Sequence, residues 1–398
     1  MPDGGVESVA DSFGDLDSYR QSLGGLSRRQ FLSYCTGVAT VLGLSSSWGA
    51  RIANAAVSAP RPSVIWLSGQ ACTGCTETLL RTHHPSLESL ILDQISLEYN
   101  EALMAGAGHQ AEAWKSKILR ENKGKYLLVA DGSVPLGENG AYCKIGNKTF
   151  KENLIEAASG AAAVIAMGSC AAWGGIPSSG PNPTQAVPIN RIIKDKPVVT
   201  IPGCPPNPYN FLATVLHFVA FGKLPELDEK MRPKFAYGRL IHENCERRAH
   251  FDAGRFAMEF GDEGHRQGFC LYKIGCKGPE TWANCPSIGF NDIGHGSWPV
   301  GTGHPCFGCT EEGVGFTKGI HELAKVQSVA PPLSYPKVVE EKGEGATTTA
   351  VALVAGITGA VVGGAAVMSS RLGMQPPRNL RNPDMPPPPK DSSGPSSS

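Results

Sequence analysis

Between residues 61 and 222 the chain alternates short apolar runs with stretches of helical character. The clearest runs are Val64-Ile65-Trp66-Leu67, Tyr126-Leu127-Leu128-Val129-Ala130, Ala163-Val164-Ile165-Ala166-Met167 and Val198-Val199-Thr200-Ile201. Each is continuous rather than alternating and ends at a loop containing glycine or proline. That is the pattern of a parallel sheet covered on both faces by helices. Three of the loops carry cysteine: Gly69-Gln70-Ala71-Cys72-Thr73-Gly74-Cys75, Gly168-Ser169-Cys170 and Pro202-Gly203-Cys204-Pro205-Pro206. An open α/β sheet binds its ligands beyond the carboxyl ends of its strands, so Cys72, Cys75, Cys170 and Cys204 are predicted to meet at one point.

The pattern changes near Lys234. Through Cys309 glycine, cysteine and aromatic residues dominate, apolar runs are short and helical periodicity is lost. Such a stretch buries too little apolar surface to hold itself together, and metal coordination is the expected source of its folding free energy. Both ends differ again. Arg28-Arg29, an apolar stretch from Val38 to Leu44 and small residues at Ala53-Asn54-Ala55-Ala56 read in order as a twin-arginine export signal over residues 1–56. Gly345 to Ser370 holds no charged side chain and is long enough for one transmembrane helix, here placed over residues 346–370 after a linker over 331–345. Arg371, Arg378 and Arg381 follow it and favour a cytoplasmic C-terminus, with residues 371–398 a disordered tail. The main body is then expected on the periplasmic face of the inner membrane.

Composition narrows the function. Thirty-six basic residues balance 36 acidic ones, and clusters such as Arg247-Arg248 are too short for the basic stripe of a nucleic-acid binder. Twelve cysteines in one chain must instead be metal ligands, disulfides or a mixture. Cys35 falls in the leader and Cys143 in a Tyr142-Cys143-Lys144 loop, and both are read as non-ligands. Beyond the first four, spacing gives two further groups: His242, Cys245, Cys270 and Cys276, then Cys285, Cys306 and Cys309. Thiolates with an occasional histidine, and proline after a ligand as in Cys204-Pro205 and Cys285-Pro286, suit iron–sulfur clusters. Zinc would accept Cys72/Cys75 or Cys306/Cys309 as half of a site, and disulfides are a further alternative, but these groupings suit zinc poorly.

Cys72-Thr73-Gly74-Cys75-Thr76-Glu77, Gly168-Ser169-Cys170, Pro202-Gly203-Cys204-Pro205-Pro206-Asn207-Pro208, His242-x-x-Cys245, Gly275-Cys276-Lys277-Gly278-Pro279 and Gly303-His304-Pro305-Cys306-x-x-Cys309 resemble the signature of the [NiFe] hydrogenase small subunits. The resemblance covers residues 61–323, and the leader and anchor are like those of the membrane-bound uptake members. Phe235 to His242 and Phe260 to Arg266 look closest to the hydrogenase-2 type.

The resemblance implies a flavodoxin-like parallel-sheet domain over residues 61–230 and a small irregular iron–sulfur domain over 231–330. It implies a proximal [4Fe-4S] cluster on Cys72, Cys75, Cys170 and Cys204, and a distal [4Fe-4S] cluster near the surface on His242, Cys245, Cys270 and Cys276. A medial cluster on Cys285, Cys306 and Cys309 is expected to be [3Fe-4S], because Trp298-Pro299-Val300 stands where some relatives have a fourth cysteine. No catalytic residue is expected in this chain, since the NiFe centre belongs to the partner large subunit. The other implied partners are a membrane electron acceptor, either a cytochrome b or an iron–sulfur subunit, leading to quinone, and a second heterodimer. A broad contact with the large subunit is expected around the proximal loop, near Trp66 and Trp173, with a core role for those tryptophans as the equal alternative. Gly74 and Gly175 replace the two extra cysteines of oxygen-tolerant relatives, and Ala71 replaces a glutamate many members carry. The rival reading is a one-cluster quinone-linked module related to respiratory complex I, which would lack the second region's ligands.

Overall fold

The computed structural model describes residues 61–82, 95–289 and 298–327, with a few positions between 32 and 50. The linker, anchor helix and tail over residues 331–398, and most of the leader, lie outside the described residues. Among the described residues no helix is long and apolar enough to cross a membrane.

Five parallel strands form the main sheet: β1 (Ser63–Ser68), β2 (Ser96–Asn100), β3 (Leu127–Asp131), β4 (Ala163–Met167) and β5 (Val198–Ile201), in the order β2-β1-β3-β4-β5. This is the strand order of flavodoxin-like folds, with the switch point between β1 and β3. The four long apolar runs supply β1, β3, β4 and β5. The edge strand β2, with sequence SLEYN, has no such run, because only one side of it pairs and half of it stays partly exposed.

Alternate residues of each strand feed opposite faces. Ile65, Leu67, Leu128, Ala130 and Val164 share one core with Phe150, Leu154 and Ala157. The last three lie on the helix Phe150–Ser159, whose first turn is closed by a capping box between Thr149 and Glu152. Val64, Trp66, Val129, Ile165 and Val199 face the other way, toward Phe211, Leu212 and Val215 of the helix Pro208–Phe221. Asn207 caps that helix, Pro208 occupies its first turn and Gly222 ends it at φ 64°. The same core continues into the second region through Tyr237, Ile241, Leu271, Ile274, Trp298 and Val300. A stretch with no adequate core of its own therefore borrows one face of the sheet. Ion pairs reinforce the seam: Arg232, 4% exposed, joins Asp228 at 2.7 Å, and Lys230 joins Glu311.

Candidate functional site

The first ligand group sits where strand-end loops converge. Cys72 and Cys75 follow β1, Cys170 lies on the short helix Gly168–Trp173 directly after β4, and Cys204 follows β5. Gly168, at φ +88°, makes the turn out of β4, and a Cβ there would lie 2.3 Å from the Cys75 Sγ. A Cβ on Gly175 would lie 2.6 Å from the Cys170 Sγ. Both glycines thus leave the space the sulfurs occupy. Burial pushes the Cys75 thiol well above its usual range, with Asp131 and the other three thiols adding to the effect, and raises Cys170 to about 11. Cys72 and Cys204 are exposed, so this group opens to the surface. Beneath it lies Asp131, fully buried, accepting from the Trp66 indole at 3.2 Å and the Thr76 hydroxyl at 3.4 Å. Trp66 is wholly buried and belongs to the core rather than to a contact surface; Trp173 is half-buried.

In the second group, Cys285 begins a single helical turn, Cys285–Ile288, while Cys306 and Cys309 lie in a turn-rich segment. Burial raises Cys285 to about 12 and Cys309 to about 11, and pushes Cys306 well up, with neighbouring thiols adding to each. Ser169 ties this group to the first: its hydroxyl donates to the Cys309 carbonyl at 2.5 Å and accepts from the Gly203 N–H at 3.0 Å.

The third group lines one pocket with Ile241, Leu271, Pro279 and Val300, and its donors His242, Cys245, Cys270 and Cys276 are 5–9% exposed. All four donors are buried, and the pocket they line is partly open. His242 Nε2 is buried with no hydrogen-bond partner, an orphan that a metal would satisfy. Burial first, and then the Arg248 guanidinium, push its imidazole down to about 4, so it is a neutral donor at physiological pH. Burial raises Cys270 to about 12. The Cys306 N–H donates to the Cys276 Sγ at 3.3 Å, joining the second group to the third.

The donor set fits iron–sulfur clusters. None of the twelve cysteines is in a disulfide. Among the described residues no three His, Cys, Asp or Glu side chains form a site for a single ion.

Residues 72–218 match the family described as the NADH ubiquinone oxidoreductase 20 Kd subunit, and residues 237–321 match the C-terminal domain of NiFe/NiFeSe hydrogenase small subunits. The second match separates this chain from the one-cluster rival. The Hydrogenase-2 small chain of Escherichia coli K12 is 53% identical over 351 residues, 88% of this chain and 94% of that one. The chain belongs to the [NiFe] hydrogenase small subunits. The uptake hydrogenase small subunit of Azotobacter vinelandii is 48% identical over 73% of this chain and 80% of its own length. The [NiFeSe] hydrogenase of Desulfovibrio vulgaris Hildenborough is 38% identical, with a TM-score of 0.58 over 64% of this chain and 95% of that one. As a hydrogenase small subunit the chain is the electron-transfer part of an oxidoreductase that oxidises H2, carries iron–sulfur clusters and pairs with a large subunit.

Three features of the site are poorly marked in the sequence. Asp131 shows there only as a lone carboxylate ending an apolar strand. Ser169 and Lys277 lie beside ligand cysteines, but their contacts with distant carbonyls have no sequence mark.

Proposed function

We propose that this chain is the electron relay of a membrane-bound uptake hydrogenase. One observation carries the reading: three groups of thiols stand in series, the first joined to the second by Ser169 and the second to the third by the Cys306 N–H. Cys72, Cys75, Cys170 and Cys204 would hold a proximal [4Fe-4S] cluster, Cys285, Cys306 and Cys309 a medial [3Fe-4S] cluster, and His242, Cys245, Cys270 and Cys276 a distal [4Fe-4S] cluster. Such clusters take up and release single electrons at potentials set by charge, hydrogen bonding and solvent.

The chain's own residues supply spacing and environment. Loops at the ends of three strands present the first group at the surface, where the exposed Cys72 and Cys204 suit a site covered by the large subunit. His242 brings a neutral donor to the third group, making that end less negative than four thiolates would. From there the acceptor is a membrane cytochrome b or iron–sulfur subunit leading to quinone. The paired arginines of the leader and the apolar stretch 346–370 support export and anchoring at the periplasmic face, and pairing of two heterodimers belongs to the same reading.

The test is low-temperature electron paramagnetic resonance of the oxidised and dithionite-reduced complex, with iron, sulfide and nickel assayed in the same sample. The expected result is a [3Fe-4S] signal that vanishes on reduction, reduced [4Fe-4S] signals and about eleven irons on this chain, from the 4+4+3 ligand sets. A single cluster, or zinc in place of iron, overturns the reading.

A further inference from the structure

Lys277 follows Cys276 and is 2% exposed. Its Nζ lies 2.8 Å from the Gly275 carbonyl, 3.0 Å from that of Ile320 and 2.6 Å from that of Glu322. Three acceptors need three N–H donors, which an ammonium has and a neutral amine lacks, so the side chain is held as a cation. No carboxylate pairs with it at salt-bridge distance among the described residues. The neighbouring Glu280 is taken by Lys318 at 2.5 Å, and the Glu322 carboxylate accepts from the Gly319 N–H at 3.2 Å.

The backbone of this residue is fixed at a specific place, and its ammonium acts electrostatically on the Cys276 and Cys306 thiols. The Lys277 backbone N–H donates to the Cys306 carbonyl at 2.7 Å, and the Cys306 backbone N–H donates back to the Cys276 Sγ at 3.3 Å. Lys277 is therefore built into the clasp between the second and third ligand groups. The clasp backs onto the segment 320–322, which packs so closely on Gly275 that a Cβ there would lie 2.3 Å from the Ile320 carbonyl oxygen.

We infer that Lys277 is a potential-setting residue: its fixed positive charge at the junction of the medial and distal sites raises the reduction potential of both and leaves the proximal site unchanged. The inference rests on the relay reading and names one residue that tunes it. The sign follows from charge. Reduction adds an electron on the ligand side of the clasp, and a desolvated cation beside it favours the more negative state. Three backbone carbonyls, rather than a carboxylate, hold the ammonium, and the Glu322 carboxylate acts on it without a direct ion pair.

The test is a redox titration followed by electron paramagnetic resonance on the complete complex carrying Lys277→Gln, Lys277→Met or Lys277→Arg. Both uncharged variants are expected to lower the medial and distal midpoints enough to change the oxidised-to-reduced ratio at fixed potential about tenfold, which is about 59 mV for one electron. The proximal midpoint should stay in place and Lys277→Arg should remain near the parent. Unmoved midpoints in fully loaded Lys277→Gln and Lys277→Met overturn the inference. So does loss of medial or distal iron in both, which would assign the lysine to holding the segment 320–322 alone. Absence of medial and distal signals from the parent complex itself is the distinct result that overturns the relay reading, and this inference with it.

Discussion

At the scale of single residues, the sheet domain carries two carboxyls that the ligand groups do not use, Asp131 fully buried and Glu101 half-buried. Glu101 follows β2; its Oε2 accepts the Ser68 N–H at 3.2 Å, while its buried Oε1 has no hydrogen-bond partner. Burial, with the nearby Asp131 adding to it, pushes its carboxyl from an ordinary 4.5 up to about 7. Burial also pushes Asp131 up to about 6 against the hydrogen bonds from Trp66 and Thr76. A raised folded-state value means the fold binds the proton more tightly than the unfolded chain does. Glu101's stabilising contribution is therefore complete below its ordinary value and is lost as pH rises through about 7. Relative to Glu101→Gln, the parent complex should lose thermal stability between about pH 5 and about pH 8, read as a difference in Tm by calorimetry. A difference that does not vary with pH would show that the carboxyl is ionised throughout.

At the scale of elements, strand ends decide where sulfur goes. A continuous apolar strand places its last residue at the rim of the sheet, and the turn that follows must leave quickly without filling the crevice. Gly168 meets both demands: its φ of +88° suits glycine, and the missing Cβ is the space taken by the Cys75 Sγ. Gly168→Ala should remove about four irons per chain, the content of one [4Fe-4S] cluster, with far-ultraviolet circular dichroism retained. Gly222 is the control, since at φ +64° it also needs a left-handed backbone but a Cβ there meets nothing within 4 Å. Gly222→Ala should cost roughly 1–2 kcal/mol in denaturant unfolding and leave iron unchanged.

At the scale of the whole molecule, the second region is held from two sides. Its apolar residues join one face of the sheet, and Arg232 pairs with Asp228 and Glu311 with Lys230 across the seam. Its remaining order comes from short turns ending on cysteines, which coordination would lock. Removal of iron by an anaerobic chelator should raise amide hydrogen exchange through residues 241–309 well before it does so in β3 and β4, whose residues are all buried. Equal loss of protection in both regions would show that the sheet depends on iron as strongly as the second region does.

The chemistry was legible along the chain because it resides in residue identity and local order: thiols at strand-end loops, a histidine three residues before a cysteine, and an apolar pattern that only a buried parallel strand tolerates. Strand β2 was not, since an edge strand pairs on one side and needs no continuous apolar run. Trp66 read as a possible contact surface because an indole serves either role, and burial against Phe211 decided for the core. The sequence by itself determined which atoms can bind iron and, by resemblance, how they divide. Only the tertiary structure showed the hydrogen bonds that link the groups, the surface exposure of Cys72 and Cys204, and the three carbonyls that hold Lys277. Those properties depend on contacts between residues far apart in the chain, such as Ser169 with Cys309 and Lys277 with Glu322, and no local pattern encodes them.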